Sequence, residues 1–190
     1  SSSELTGTWG FGFWNDPFQV KMGIKGVGRR LPTLPNTAWF FYASPPNYLA
    51  FRDDHPAQGM LSSVFSGPAL PAWVFSPAVP FIPLLGLPYI ARILRKQISI
   101  ILQEDATQLD HDVTCWNRYE VNLGNASVDF KVNERLIWSS KLLPKGKLGI
   151  VIWIDNQFAS FTPDGKIKSG LSPVLQDHWM EVRNIQSGCR

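Results

Sequence analysis

The chain has 190 residues, of which 44% are hydrophobic, 13% aromatic and only 17% charged. This length favours one domain that buries about 70% of the surface of its unfolded chain. The formal net charge of +3 is too small to predict a nucleic-acid partner, and the aromatic content excludes a disordered or coiled-coil protein. Fifteen glycines and fifteen prolines predict many turns and few long helices.

Cys115 and Cys189 are the only cysteines, and their spacing does not establish a disulfide. We expect two free thiols, with one disulfide as the alternative. The sequence contains no zinc-type cluster and no nucleotide or phosphate motif, so neither a metal nor a cofactor is expected. The printed sequence begins without an apolar signal region, which favours a cytoplasmic or membrane-peripheral protein.

Residues 7–18 alternate aromatic residues with glycines, and this alternation breaks at a polar Asn15-Asp16-Pro17 corner. A period of two residues is typical of a strand and divides the segment between two faces. The two predicted faces are Trp9, Phe11 and Phe13 on one side and Gly10, Gly12 and Trp14 on the other. A face of glycines lets another sheet or a ring-shaped ligand approach the backbone.

The first strand is predicted at 8–14, and nine further runs are typical of strands, at 38–44, 48–52, 60–66, 116–123, 127–132, 135–140, 148–154, 157–161 and 178–185. Turn sequences such as Pro45-Pro46-Asn47 and Pro163-Asp164-Gly165 separate them. Ten short strands joined by such turns predict an all-β antiparallel sandwich or jelly roll. The run 148–154 is apolar on both faces, which predicts a central strand that is covered on both sides.

The stretch 56–91 carries no formal charge and many prolines, and a helix is predicted after it at about 89–110. Together they predict a proline-rich, partly helical insertion at 67–112. The prolines interrupt the apolar stretch too often for a transmembrane helix. The predicted helix has an apolar stripe, and we expect Arg92, Arg95, Lys96 and Glu104 elsewhere on its surface.

Three roles are open for this insertion. It can be an irregular flap over one face of the sandwich, a surface for lipid, or the roof of a pocket for a hydrophobic ligand. The lipid surface would use these side chains: Trp73, Phe75, Phe81, Arg92, Arg95 and Lys96.

Three stretches of the second half follow one another as Trp116-Asn-Arg-Tyr119, Val128-Asp-Phe-Lys-Val-Asn133 and Leu148-Gly-Ile-Val-Ile-Trp153. Together with the opening Gly7-Thr8-Trp9, this order resembles concanavalin A-like lectin/glucanase sandwiches, especially family 16 glycoside hydrolases. The resemblance implies a single domain over 1–190, built as a jelly roll with a concave carbohydrate-binding face. Asn133-Glu134 stands where that family usually has Asp-Gly.

The resemblance would also imply retaining glycoside hydrolysis, which needs two carboxylates about 5–5.5 Å apart. The family supplies them from one strand as E-x-D-x-x-E, and the strand expected here, 38–44, contains no carboxylate. Asp53 and Asp54 are adjacent and would point to opposite faces of a strand. We therefore expect no hydrolysis of the family type.

Polar corners accompany tryptophans at two places, because Asn15-Asp16 and Asp155-Asn156 each follow a Trp-containing strand. Sugar recognition combines indole stacking with hydrogen bonds from carboxylates and amides. The alternative is that these polar residues cap turns and that the indoles lie in the core. The expected ligand contacts are Trp9, Trp14, Asn15, Asp16, Trp39, Tyr42, Asp155 and Asn156.

The leading hypothesis is a non-hydrolytic domain that binds a carbohydrate or a small apolar ligand. The second is a peripheral membrane or lipid-binding protein that acts through 68–102. The third is an isomerase or cyclase that uses an aromatic cavity, with His111 or Asp16 as the acid or base.

Overall fold

The computed structural model describes residues 6–15, 34–68, 84, 86–174 and 177–188. The strands are β1 (Thr8–Trp14), β2 (Asn36–Ala43), β3 (Gly59–Ser66), β4 (Gln103–Gln108), β5 (Tyr119–Leu123), β6 (Val128–Val132), β7 (Arg135–Ser140), β8 (Gly149–Asp155), β9 (Gln157–Phe161) and β10 (Ile167–Leu171). One helix, α1 (Pro88–Ile101), lies between β3 and β4 in the chain. The prediction of a mostly β protein with antiparallel sheets is confirmed.

The largest sheet has five strands in the order β4-β3-β2-β1-β8, and every neighbouring pair is antiparallel. A three-stranded sheet has the order β5-β6-β7, and β9 pairs with β10. In the large sheet, Phe11 of β1 lies opposite Phe40 of β2 on one side and Ile152 of β8 on the other. This register determines which side chains share a face.

The five-stranded and three-stranded sheets pack face to face in a sandwich-like arrangement, with β5 against β2 and β7 against β4. The Phe40 ring lies between them, 5.2 Å from the ring of Phe130 and 5.0 Å from that of Tyr119, measured between centroids. The buried core consists of Ala38, Phe40, Tyr42, Met60, Val64, Leu109, Val128, Phe130 and Val132. Each of its strands contributes alternate residues, as a half-buried strand requires.

The helix is shorter than predicted, because α1 ends at Ile101 and the chain continues as β4 from Gln103. Pro88 occupies the first turn, where its missing N–H removes no intrahelical hydrogen bond. Residues 103–108 instead pair with Leu61–Ser66 of β3. The prediction of a helix to 110, with Arg95 and Glu104 on its surface, is therefore wrong, since both side chains are buried.

The position of β8 also differs from the prediction. This strand lies at the edge of the five-stranded sheet, and its isoleucines are exposed rather than covered on both sides. The main contacts of the three-stranded sheet are with β2 and β4, and none of the three isoleucines of β8 belongs to the core between the two sheets.

Four smaller differences concern extended segments. The run 178–185 forms no strand, and 48–52 contributes only an isolated bridge between Tyr48 and Ser160. Residues 116–118 precede β5 as a loop, and β10 was not predicted. A strand needs a paired neighbour, and local alternation does not reveal whether one is present.

Candidate functional site

Three tryptophans lie on the same side of the five-stranded sheet, on three adjacent strands. Trp39 of β2 lies opposite Gly12 of β1, and Trp153 of β8 lies opposite Gly10. The ring centroids of Trp39 and Trp153 are 5.1 Å apart, and those of Trp14 and Trp39 are 5.4 Å apart. We call this surface, formed by Trp14, Trp39 and Trp153, the indole face.

The two glycines of β1 form the floor of the indole face. A Cβ on Gly10 would lie 2.5 Å from Cη2 of Trp153, and a Cβ on Gly12 would lie 2.5 Å from Cα of Trp39. These distances are far below van der Waals contact, so only glycine allows this packing. The glycine face was expected to admit another sheet or a ring-shaped ligand. In the structure, tryptophans of the same chain lie against it.

The Trp153 indole is held in place by polar contacts at the end of β8. Its Nε1–H donates to Thr8 Oγ1 at 3.2 Å, and the Thr8 hydroxyl donates to Asp155 Oδ1 at 2.9 Å. The same carboxylate oxygen accepts the backbone N–H of Gln157 at 3.1 Å. An exposed carboxylate therefore stands beside an oriented indole, on the same face of the sheet.

Part of the indole face is covered by the segment between β2 and β3. Leu49 packs against Phe41 and Leu61, and the Phe51 ring lies 6.4 Å from that of Phe65. The cover lies over β2 and β3, whereas all three indoles retain partial exposure. The indole face is therefore a partly exposed aromatic surface that is bordered by Leu49 and Phe51 of this segment.

Trp9 and Tyr42 lie on the opposite face of the sheet from the indole face. Their rings stack with centroids 5.8 Å apart, in the layer that faces the three-stranded sheet. Burial raises the pKa of the Tyr42 phenol. The predicted contact set is therefore divided between two faces, because Trp9 and Tyr42 cannot share a ligand with Trp14 and Trp39.

The two polar corners lie at opposite ends of the sheet. Trp14 is opposite Gly149 and Thr8 is opposite Asp155, so Asn15 and Asp155 are separated by the length of β1, roughly 20 Å. Asn15 accepts the N–H of Asn36 at 2.9 Å through its side-chain oxygen and donates to a backbone carbonyl, which ties β1 to β2. Asn156 donates its side-chain amide to the Ser172 carbonyl at 3.1 Å. Both asparagines therefore join segments that are distant in the chain.

Four predicted site residues, Asp16, Trp73, Phe75 and Phe81, lie outside the described residues, as does Cys189. Cys115 is exposed and has a free thiol, 3.5 Å from a carboxylate oxygen of Asp112.

Arg95 is not a surface cation, because its side chain is buried beneath α1. Its guanidinium donates to the carbonyl oxygens of Ala50 at 2.6 Å and Phe161 at 2.5 Å, and it pairs with Asp53 at 2.9 Å. It also lies over the ring of Tyr48, 5.2 Å from the centroid. Arg95 therefore joins the helix to the covering segment and to β9, and it is unavailable to a lipid headgroup.

The outward face of α1 combines apolar residues with cations. Tyr89, Ile93 and Ile100 are exposed at helical spacing, and Arg92 and Lys96 lie beside them in the solvent. Within the described ranges, no helix is long and apolar enough to cross a bilayer.

The structure brings together a polar cluster that the sequence did not reveal, because β4 was predicted as a helix. Glu104 Oε2 accepts the N–H groups of Phe51 and Arg52 at 2.7 and 3.1 Å, and burial raises the pKa of this carboxyl group. On the other face of β4, Asp105 accepts the Ser140 hydroxyl at 2.5 Å and lies 3.8 Å from Nε2 of His55. These contacts fasten the covering segment and β7 to β4.

His111 is hydrogen-bonded to Tyr119, with 2.7 Å between Nε2 and the phenol oxygen. Burial lowers the pKa of His111 and raises the pKa of Tyr119 to about 12. Near neutral pH both groups are therefore uncharged. The Tyr119 ring packs against Phe11 and Phe40, so this pair is part of the packing between the sheets.

Within the part of the chain that the structure describes, no three His, Cys, Asp or Glu side chains are grouped so that they could hold a metal ion. No protein-family model, curated protein or solved structure matches the chain.

Proposed function

We propose that this chain is a non-hydrolytic carbohydrate-binding domain whose ligand lies against the indole face. The observation that carries the proposal is the cluster of three partly exposed indoles on adjacent strands, above a floor of glycines. Aromatic side chains supply large, rigid contact areas, and an indole offers a flat apolar surface that matches the C–H face of a pyranose ring.

Directional recognition would come from Asp155. Its carboxylate is exposed at the end of β8 and stands beside the Trp153 indole through the shared Thr8 hydroxyl. A few placed polar groups around an aromatic surface are the usual means of orienting a small ligand. The resemblance of 116–153 to late strands of lectin/glucanase sandwiches supports the same proposal, with a jelly roll as the finer description of the fold.

The described carboxylates on this face do not suit glycoside hydrolysis. Asp155 ends β8 and Glu104 lies on β4, four strand spacings away, so about 19 Å separates them across the sheet and an offset along the strands adds to it. Retaining enzymes need about 5–5.5 Å between the two carboxylates, and inverting enzymes need about 6.5–9.5 Å. Glu104 is also bonded to the covering segment, so we propose binding without bond cleavage.

The test is titration calorimetry with β-glucan and galactan oligosaccharides, after a glycan array has selected the ligand. We expect Trp14→Ala to weaken binding at least tenfold, which corresponds to about 1.4 kcal/mol. Trp179→Ala is the matched control, because this indole is 75% exposed in the C-terminal segment. Near-ultraviolet circular dichroism checks that both variants fold. Absence of binding on the array and in calorimetry, or equal losses in both variants, would contradict the proposal.

A second candidate, a peripheral lipid-binding function, is favoured by the outward face of α1. Its exposed apolar residues lie beside Arg92 and Lys96, the arrangement that binds an anionic membrane surface. Co-sedimentation with vesicles of phosphatidylcholine and phosphatidylserine tests it. Ile93→Glu should abolish pelleting, whereas Ile185→Glu, at another exposed isoleucine, should leave it unchanged. Equal pelleting of the two variants would exclude this function.

A further inference from the structure

The strand β8 presents an unusual sheet edge. Among the described residues β1 is its only strand partner, so its other side carries a row of backbone N–H and C=O groups with no strand beside it. Its seven residues, Gly149–Asp155, contain no lysine or proline. Natural proteins usually protect an edge strand with such residues, because an open edge pairs with other chains.

The side chains of β8 are a second observation that makes this edge unusual. Ile150, Ile152 and Ile154 share one face and are 53%, 38% and 43% exposed. None of them is part of the buried core between the two sheets or packs against it. A regular row of exposed isoleucines on an open edge indicates a surface that is covered by an interaction.

We propose that two copies of this chain pair antiparallel along β8, about a two-fold axis through Ile152. In this register Ile152 lies opposite Ile152 of the second copy, and Ile150 lies opposite Ile154. The six isoleucines of the two copies then form one continuous apolar surface. A second copy fits because an isologous interface must be self-complementary, and a strand whose centre is the middle isoleucine of three satisfies that condition.

The charges near β8 are complementary in the same register. Asp155 at the end of the strand faces Gly149 of the second copy. Lys147 of that second copy, two residues before Gly149, is then the diagonal neighbour of Asp155. Diagonal side chains across an antiparallel pair lie about 7–8 Å apart. Opposite charges therefore meet at both ends of the interface, and no like charges face each other along the strand.

The pairing has a consequence for the indole face, although it does not depend on the proposed carbohydrate function. Val151 and Trp153 lie on that face, and Val151 would stand opposite Trp153 of the second copy. The two five-stranded sheets would become one sheet of ten strands. The indole clusters of both copies would then lie on the same side, next to one another.

Sedimentation velocity of the full chain between about 1 and 100 μM tests the dimer. We expect a species of twice the chain mass in the wild type and a monomer for Ile152→Lys, with an affinity loss of at least tenfold. Ile137→Lys is the matched control, because Ile137 is 41% exposed on β7, an edge of the other sheet. A monomeric wild type, or a dimer that Ile137→Lys disrupts and Ile152→Lys does not, would overturn the proposal.

Disulfide trapping tests the register with variants that disturb the fold little. In a Cys115→Ser, Cys189→Ser background, Ile152→Cys should form a cross-linked dimer, because opposite Cα atoms lie about 4.5–5.5 Å apart. Ile150→Cys alone should not cross-link, since residues 150 of the two copies would be about 13 Å apart. The double variant Ile150→Cys, Ile154→Cys should cross-link again. Equal trapping of both single variants would overturn the register.

Discussion

The indole of Trp153 lies over Gly10, with its Cη2 atom 2.5 Å from the position that a Cβ on residue 10 would occupy. The carbonyl oxygen of Phe40 lies 2.6 Å from the same position, so the site is closed on a second side. The glycine and the indole come from neighbouring strands. The indole can lie here only because residue 10 has no side chain.

Gly10→Ala is therefore expected to destabilise the fold. The added methyl group must displace the indole and the β2 backbone, and overpacking of this kind costs about 1–3 kcal/mol. Urea unfolding followed by tryptophan fluorescence measures the loss. Gly188→Ala is the control, because nothing lies within 4 Å of a Cβ at that position. Equal stability of the two variants would show that the indole does not occupy this space.

Replacing Arg95 should destabilise the protein much more than replacing its acidic partner. Arg95→Met leaves two carbonyl oxygens, those of Ala50 and Phe161, without their donor, and each such loss costs about 1–3 kcal/mol. Asp53→Asn should cost less than about 1 kcal/mol, since the Asp53 side chain is 69% exposed. Denaturant unfolding compares the two, with the exposed Arg92→Met as the control. Similar losses for Arg95→Met and Arg92→Met would contradict the burial of Arg95.

As the pH rises, the free energy of unfolding of the wild type should fall relative to that of Glu104→Gln. Burial raises the pKa of Glu104 above its ordinary value of 4.5, so the unfolded chain releases this proton at a lower pH than the folded chain. Well below pH 4.5 the carboxyl group is protonated in both states and contributes no pH dependence. Above that value its ionisation favours the unfolded chain until the folded pKa is passed.

The measurement is the free energy of unfolding of wild type and Glu104→Gln between pH 4 and 7. The glutamine can still accept the N–H groups of Phe51 and Arg52, so the difference reports the charge. Glu134→Gln serves as the control, because that side chain is 75% exposed. If the wild type instead became more stable relative to Glu104→Gln as the pH rises, this account would be contradicted.

Tyr119 should titrate near pH 12, well above an ordinary phenol, because it is partly buried between the sheets. The neutral phenol is favoured in the folded state, so the stability that it contributes is present below pH 10 and is lost as the pH rises towards 12. Absorbance at 295 nm follows the ionisation, and Tyr119→Phe should remove this component. The variant should also lose about 1 kcal/mol with the hydrogen bond to His111. Normal ionisation of all four tyrosines near pH 10 would exclude this packing.

Local patterns in the sequence predicted much of the strand content. The bounds predicted for β1, β7 and β9 agree with the structure, and those for β3 and β6 differ by one residue. The alternation of Trp9 with Gly10 also separated the two faces of β1 correctly. These features depend on a two-residue period and on turn residues, which a strand carries in its own sequence.

The tertiary structure decided the features that depend on pairing between distant segments. The stretch 103–108 follows a helix and has no strong strand signal, yet it becomes β4 because β3 offers a free edge. Burial of Arg95 and Glu104 follows from the same arrangement, since the covering segment supplies their hydrogen-bond partners. The apolar pattern of 148–154 indicates a strand, but it cannot tell a central strand from an edge.

The candidate site likewise has some features that the sequence predicted and others that the tertiary structure decided. The sequence by itself determined that β1 has a glycine face and that tryptophans occur on three strands. Only the register of β1 with β2 and β8 brought Trp39 and Trp153 to the face of Trp14 and placed Tyr42 beside Trp9 on the other face. The physical reason is that side-chain alternation is a property of each strand, whereas the face on which two strands meet is set by hydrogen bonds between residues far apart in the chain.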